Sequence, residues 1–346
     1  MSASLRAAAV ATFLSAATIA AEQPRAPLSP LPHYESRVEA ITIAATVSDS
    51  DGRFVSGLHE DDFTVYEDDV RQTIEAFGTE RLPVSLGIAL DTSGSMAGPK
   101  IAEARAALTQ FLDRLLDRSD EIFLYRFSDH PVLLEGWTSS RATLMAALED
   151  TKPDGGTAMY DVMAEAVPLA AQGRNRKKAV VLISDGNDTS SNTPRIDVMQ
   201  LIRETDVLVY AIGIDGNGNT GNGAASPSAR PVPPPRGRVP IPVPGLGRPP
   251  GFSLQTPAAR RAAIDSDRVD AAALRDLTDD SGGRTEIIRD ARDLYPATAG
   301  IADELSKQYD LSYLSTGKRD GVWHTIRVEV KNPAYRVRAR RGYVAN

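Results

Sequence analysis

The sequence predicts an α/β fold in which a doubly wound, mainly parallel sheet is inserted in a small β-sandwich formed by the N- and C-terminal segments. Over residues 82–305, apolar strand patterns alternate with amphipathic helix patterns, which is typical of a parallel sheet covered by helices on both faces. Short β patterns lie on either side of this stretch. Because a small isolated sheet is only marginally stable, we expect the two terminal sets to pair with each other.

The N-terminal part of the sandwich is assigned to residues 38–80. Alternation of apolar and polar side chains predicts three strands, at residues 38–47, 63–66 and 70–77. The last two flank a tight acidic turn at Glu67, Asp68 and Asp69. These strands therefore predict antiparallel pairing.

The α/β domain, residues 82–305, is expected to contain five strands and five helices. The strands are predicted at 84–90, 121–127, 179–184 and 207–214, with a weaker one at 284–289. The helices are predicted near 99–116, 140–149, 158–172, 195–204 and 268–279. Right-handed crossovers between the strands then give a parallel sheet. Residues 216–263 interrupt the pattern with a Pro-, Gly- and Arg-rich stretch without acidic residues, which predicts a disordered insert.

The C-terminal part of the sandwich is assigned to residues 306–346. Three β patterns are predicted there, at residues 309–316, 324–332 and 335–343. Arg336, Arg338 and Arg340 alternate along one face of the last one, and we expect them to form a solvated row or a row that protects a sheet edge.

Residues 1–21 have the pattern of a secretory signal peptide: one basic residue, Arg6, then a short alanine-rich apolar stretch with small residues at its end. A Pro-rich leader, residues 22–37, follows. We expect export to the periplasm or the medium, with no stable membrane span after signal cleavage. The alternative is that the signal is kept as an anchor.

Composition excludes several function classes. The net charge of -7 is opposite to the basic surface that nucleic-acid binding requires. The absence of cysteine excludes disulfides, thiolate metal ligands and a cysteine nucleophile. The four histidines share no spacing that suggests a Ser-His-Asp triad. We therefore expect a protein that is not an enzyme.

Oxygen-bearing side chains follow two predicted strands and precede one predicted helix. Asp91, Ser93 and Ser95 come after the strand at 84–90, Thr157 follows two glycines before a helix, and Asp185 ends the strand at 179–184. Ligands in an open parallel sheet bind outside the carboxyl ends of the strands. The residues form either a hydrogen-bonded polar turn or a cation site. Hard oxygens with two carboxylates suit Mg²⁺ or Mn²⁺ better than zinc.

These five positions resemble the metal-ion-dependent adhesion site of von Willebrand factor type A domains. The resemblance covers roughly Leu82 to Ser306, and the flanks "GLHEDDFTVYEDDVRQTIEAF" and "RVRARRGYVA" resemble the bacterial VWFA-related acidobacterial domain proteins. It implies a Rossmann-like sheet with strand order 3-2-1-4-5-6, in which the strand before Asp91 lies beside the strand before Asp185.

The resemblance also implies the roles of the five residues. The two serine hydroxyls would bind the metal directly, the two aspartates often through water, and Thr157 directly in some states. One coordination position would stay open for a Glu or Asp of a partner protein. An exported, metal-dependent, adhesion-type binding module is therefore the expected function. The alternatives are a structural envelope protein with an unoccupied site and a metal-assisted hydrolase.

Two further aspartates have open roles. Asp188 either orients the metal site or caps the turn that follows it. Asp161 is expected to favour the helix N-terminus electrostatically rather than bind metal.

Overall fold

Three β-sheets and six α-helices make up the part of the chain that the computed structural model describes, residues 39–114, 117–149, 151–185, 187–215, 269–315 and 320–345. The predicted signal peptide (1–21), the leader (22–37) and the insert (216–263) lie outside these residues. In chain order the elements are β1 (Glu39–Ser48), β2 (Phe63–Glu67), β3 (Val70–Gln72), β4 (Ile74–Gly78), β5 (Val84–Asp91), α1 (Pro99–Arg114), β6 (Glu121–Phe127), β7 (Pro131–Thr138), α2 (Arg141–Glu149), α3 (Met159–Ala171), β8 (Lys177–Ser184), α4 (Arg195–Arg203), β9 (Leu208–Ile214), α5 (Ala271–Thr278), β10 (Thr285–Ile288), α6 (Leu294–Lys307), β11 (Tyr309–Ser315), β12 (Trp323–Val330), β13 (Arg336–Arg338) and β14 (Gly342–Val344).

The six-stranded sheet has the order β10-β9-β8-β5-β6-β7. All its neighbours are parallel except β7, which runs antiparallel to β6 at the edge. If β5 to β10 are numbered 1 to 6 and the sheet is read from β7 to β10, the order is 3-2-1-4-5-6. The predicted fold class is therefore confirmed. Because β5 and β8 are neighbours, their carboxyl ends meet at one edge of the sheet, where the chain order reverses.

Helices cover both faces of this sheet, each with its own buried core. Alternate residues of β5, such as Leu86 and Ile88, pack toward α1, α2 and α6, whereas Ala89 faces the helices α3, α4 and α5. This alternation follows from the period of two in a strand. The longest described helix has 16 residues. None of the described helices is long and apolar enough to span a membrane.

Strands from both ends of the chain form the other two sheets. Their orders are β13-β1-β11-β4 and β14-β12-β2-β3. A shared core lies between them and includes Ile43 of β1, Val65 of β2, Leu311 of β11 and Ile326 of β12. The terminal segments therefore pair as a sandwich around the α/β domain, as the sequence predicts.

Two predicted strands are each divided between the sheets. The predicted strand 70–77 breaks at Thr73: β3 pairs with β2, whereas β4 pairs with β11 in the other sheet. The predicted strand within 335–343 likewise becomes β13 and β14, which pair with β1 and β12. The acidic turn before β3 has positive φ at Asp68 and Asp69 (46° and 64°), as in a type I′ hairpin turn.

The expected solvated arginine row is wrong for two of its three members. Arg336 is exposed, but Arg338 donates to the fully buried Glu304 of α6. The guanidinium of Arg340 donates to the carbonyl oxygens of Gly342 and Thr205. β13 is an edge strand, but these two side chains point to the α/β domain, where they contact residues such as Gly282 and Thr205 instead of solvent.

Candidate functional site

Strand β5 ends with a fully buried carboxylate, Asp91. Asp91 Oδ1 accepts a hydrogen bond from Ser93 N (2.8 Å), and Oδ2 accepts one from Ser184 Oγ (2.5 Å) at the end of β8. The side-chain oxygens of Ser93 and Ser95 lie 2.9 Å apart. Ser93 is buried and Ser95 is exposed. The loop therefore presents two hydroxyls together, directly beyond the strand end.

A second loop brings Thr157 to the same edge of the sheet. Gly94 N, between the two serines, donates to Gly155 O (2.9 Å), and Asp154 N donates to Thr92 O (2.9 Å). Thr157 is only 4% exposed. Its own amide donates to Thr189 Oγ1 (2.9 Å), so the segment after β8 also fixes this loop. Backbone hydrogen bonds thus tie together the loops that carry three of the predicted ligands.

Asp185 follows β8, beside the end of β5. Its carboxylate is mostly buried, and Oδ2 lies 3.1 Å from the Lys100 ammonium in the first turn of α1. Among the described residues, Lys100 forms the ion pair with this carboxylate. A positive charge is therefore already accommodated next to Asp185.

Burial and, after it, the nearby charge of Asp185 raise the pKa of Asp91 to about 6. Hydrogen bonds from Ser184 and Ser93 oppose this shift without cancelling it. The carboxylate form of Asp91 is thus under-compensated at neutral pH. A buried pair of carboxylates with hydroxyls beside it is a donor set that fits a hard dication such as Mg²⁺.

Residues 86–187 match the family model described as von Willebrand factor type A domain. This part of the chain is a von Willebrand factor type A domain. Such domains are typically interaction modules rather than enzymes, and they bind a divalent metal at the adhesion site. The narrower resemblance to the acidobacterial group stays a prediction.

Other proteins share parts of this sequence or fold. Uncharacterized protein sll0103 of Synechocystis sp. is 30% identical over 119 residues, which are 33% of this chain and 28% of that protein. The von Willebrand factor type A structure from Catenulispora acidiphila is 18% identical, with 82% of this chain and 63% of that chain covered and a TM-score of 0.47. The structure of the conserved hypothetical protein BatB from Bacteroides thetaiotaomicron is 19% identical, with 65% of this chain and 98% of that chain covered and a TM-score of 0.45. The chain thus spans less than a third of the length of the curated relative.

Asp188 caps the helix that follows Thr157 in the von Willebrand factor type A domain. Its Oδ1 accepts from Met159 N (2.8 Å), Tyr160 N (3.4 Å) and Ser191 Oγ (2.5 Å). The structure therefore shows that Asp188 caps the start of α3, and its role in orienting the metal site stays a prediction. Asp161, in the first turn of α3, accepts from the amides of Asn192 and Thr193 and so anchors the loop before α4.

Asp129 is a residue of this edge that the sequence analysis missed. It follows β6, is exposed, and its Oδ1 accepts from Gly156 N (2.7 Å), next to Thr157. A side chain on Gly155 would collide with this carboxylate, since its Cβ would lie 2.3 Å from Asp129 Oδ2. The signal was available, because Asp129 stands after a strand just as Asp91 and Asp185 do.

Proposed function

We propose that this protein is an exported, divalent-cation-dependent protein-binding module of the adhesion type. Asp91, Ser93, Ser95, Thr157 and Asp185 would hold Mg²⁺ or Mn²⁺, and a Glu or Asp side chain of another protein would complete its coordination. The von Willebrand factor type A match supports an interaction module. The signal-peptide pattern of residues 1–21 supports export.

The buried Asp91 beside Asp185 is the observation that carries this proposal. Its raised pKa of about 6 means that the site lacks positive charge when both carboxylates are ionised. Lys100 compensates Asp185 from one side, at 3.1 Å. The hydroxyls of Ser93 and Ser95 add neutral oxygens, so the two carboxylates would balance a bound dication, and the Lys100 ammonium would leave the occupied site with net positive charge toward a partner carboxylate.

Hydrogen bonds from several loops orient the proposed metal ligands. Ser184 Oγ and Ser93 N hold the two oxygens of Asp91, while the Gly94–Gly155 hydrogen bond holds the Thr157 loop against the serines. Asp188 holds the start of α3. A bound Mg²⁺ would supply the charge that attracts an acidic side chain. Pre-formed loops reduce the ordering cost of binding.

Metal binding is tested on the metal-stripped full chain by calorimetry and thermal unfolding with MgCl₂ or MnCl₂. We expect saturable stabilisation of the wild type, because a ligand that binds only the folded state raises its stability. Asp91→Ala should lose this response. Asp303→Ala, which removes an exposed carboxylate of α6, is the matched control and should keep it. A wild type that gains no stability from either ion would instead favour a structural protein with an unoccupied site.

Partner recognition is tested with immobilised glutamate-containing peptides, in Mg²⁺ and in EDTA. We expect binding that needs both Mg²⁺ and Asp91 and that is lost when glutamine replaces glutamate in the peptide. Binding of equal strength in EDTA would contradict the proposed mode of recognition.

A further inference from the structure

A second group of potential ligands lies in the sandwich, apart from the loops described above. Glu67 ends β2, Asp68 follows it in the acidic turn, and His324 lies on the neighbouring strand β12. One ligand atom from each residue lies within 4.8 Å of the other two. We propose that these three residues, called the sandwich cluster below, form a second cation site with a preference for Zn²⁺.

The distances suit a small ion. His324 Nδ1 lies 2.7 Å from Asp68 Oδ2 and 3.9 Å from Glu67 Oε1. Ligands bound tetrahedrally at about 2.0–2.1 Å are separated by about 3.3 Å, a value between the two observed distances. Small side-chain rotations would therefore place the three atoms around one zinc ion.

Glu67 gives an independent indication of a missing ligand. The residue is only 7% exposed, and its Oε1 accepts from Ser315 Oγ (2.9 Å) and Tyr343 Oη (3.0 Å). Its Oε2 is buried and accepts no hydrogen bond of ordinary geometry within the described part of the chain, although burial and the Glu67 carboxylate raise the pKa of the nearby Tyr313 hydroxyl. No Lys or Arg of the described residues pairs with this carboxylate. The Glu67 carboxylate is therefore buried without a Lys or Arg partner, and a cation bound at Oε1, which lies 3.9 Å from His324 Nδ1, would supply the positive charge that it lacks.

The imidazole is held in an orientation suited to metal binding. Its ring stacks on Tyr343, with centroids 5.5 Å apart, and its Nε2 lies 3.4 Å from Asp320 Oδ1. Histidines that bind metals usually donate their other ring N–H to a carboxylate or carbonyl, which fixes the tautomer. Asp320 is placed to accept that hydrogen bond while Nδ1 faces the cluster.

The turn is held independently of any ion. Asp68 Oδ1 accepts from Thr325 N (2.8 Å) and Thr325 Oγ1 (3.0 Å), and Asp68 N donates to Thr325 O (3.0 Å). Asp68 Oδ2 is thereby directed to the imidazole. A set that includes an imidazole suits Zn²⁺ better than Mg²⁺, whereas the oxygen-only loops of the α/β domain suit Mg²⁺. The two sites should therefore differ in metal preference.

The test uses the full chain with Asp91→Ala, so that the adhesion-type site does not contribute. ZnCl₂ is titrated against the metal-stripped protein by calorimetry, and the imidazole resonances are followed by NMR. We expect one zinc ion per chain and a zinc-dependent shift of the His324 signals. In the Asp91→Ala chain, the additional substitution His324→Ala should lower the zinc affinity at least about 10-fold. His130→Ala, which removes an exposed histidine outside the cluster, should not change it.

Asp68→Asn keeps the test valid if His324→Ala disturbs folding. Asparagine tolerates positive φ and can accept the hydrogen bonds from Thr325, so the turn should persist while the carboxylate charge is lost. This variant should also bind zinc more weakly. Unchanged zinc binding in the Asp68 and His324 variants, or His324 signals that do not respond to zinc, would overturn the proposal and leave a hydrogen-bonded imidazole. The Mg²⁺ response of the chain with Asp91 intact is measured separately, so failure of one site does not imply failure of the other.

Discussion

At the scale of single residues, Asp91 makes the metal-free protein pH-sensitive. Its pKa is raised from 3.8 to about 6 in the folded chain, mainly by burial and then by Asp185. Protonated Asp91 therefore favours folding. This contribution to the free energy of unfolding is fully present below about pH 4 and is lost as the pH rises through about 6. The loss amounts to up to about 3 kcal/mol.

Asp91→Asn isolates this effect, because asparagine stays neutral at every pH. In EDTA, we expect the variant to be more stable than the wild type at pH 7.5, with the difference shrinking as the pH falls toward 4. Urea unfolding at several pH values measures it. The prediction fails if the stability difference between the two proteins is the same at pH 4.5 and 7.5.

Gly87, in the middle of β5, is required by close packing beneath the site. A Cβ at this position would lie 2.2 Å from Cζ of the buried Phe123 ring. Gly87→Ala should therefore destabilise the fold by about 1–3 kcal/mol through overpacking. Gly136→Ala in β7 is the matched control, since no heavy atom lies within 4 Å of its added Cβ. Equal urea midpoints for both variants would contradict this account.

At the scale of elements, the start of α3 determines where Thr157 lies. Asp188 accepts hydrogen bonds from the first amides of this helix, and its loss should cost about 1 kcal/mol of stability. Asp188→Ala should also weaken Mg²⁺ binding, because Thr157 would no longer be held against the serine loop.

Asp270→Ala separates these two effects. Asp270 caps α5 in the same way, by accepting from Ala272 N (3.1 Å) and Ala273 N (3.0 Å), but α5 carries no proposed ligand. Its loss should lower stability by a similar amount and leave Mg²⁺ affinity unchanged, as calorimetry would measure. If Asp188→Ala binds Mg²⁺ as tightly as Asp270→Ala does, Asp188 is only a helix cap.

Element prediction failed where local signals and tertiary packing disagree. The helix α6 was not predicted because it contains Pro296 and Gly300, which disfavour helices. It forms since Leu294, Ile301 and Leu305 lie on one apolar face that packs on the sheet. Strand β7 was missed because it is half-buried at a sheet edge and its apolar run, residues 132–134, is short and followed by Glu135 and Gly136.

At the scale of the whole molecule, Glu304 of α6 links the α/β domain to the sandwich. Its Oε1 accepts from Arg338, from Tyr210 Oη (3.0 Å) and from Thr46 Oγ1 (3.1 Å) of β1. Arg284 Nε lies 3.1 Å from Oε2 but makes no hydrogen bond to it. Arg338 is therefore the main hydrogen-bonded cation of a fully buried carboxylate.

Arg338→Met should destabilise the protein by about 1–3 kcal/mol, because Glu304 would lose its hydrogen-bonded guanidinium and keep only the ion pair with Arg284. Combining it with Glu304→Gln should cost less than the sum of the two single changes. Arg336→Met, on the same strand but exposed, is the control and should have little effect. Additive free energies of unfolding in the double variant would refute this coupling.

The sequence by itself determined the alternation of strands and helices and the oxygen-bearing residues after the strands, because both depend on neighbours along the chain. Only the tertiary structure decided which sheet each short strand joins and which buried charges meet. Asp68 and His324 are 256 positions apart, and Glu304 meets Arg338 through the packing of α6 against the sandwich. Such pairs leave no periodic signal in the sequence, because their proximity arises from sheet pairing and burial rather than from local spacing.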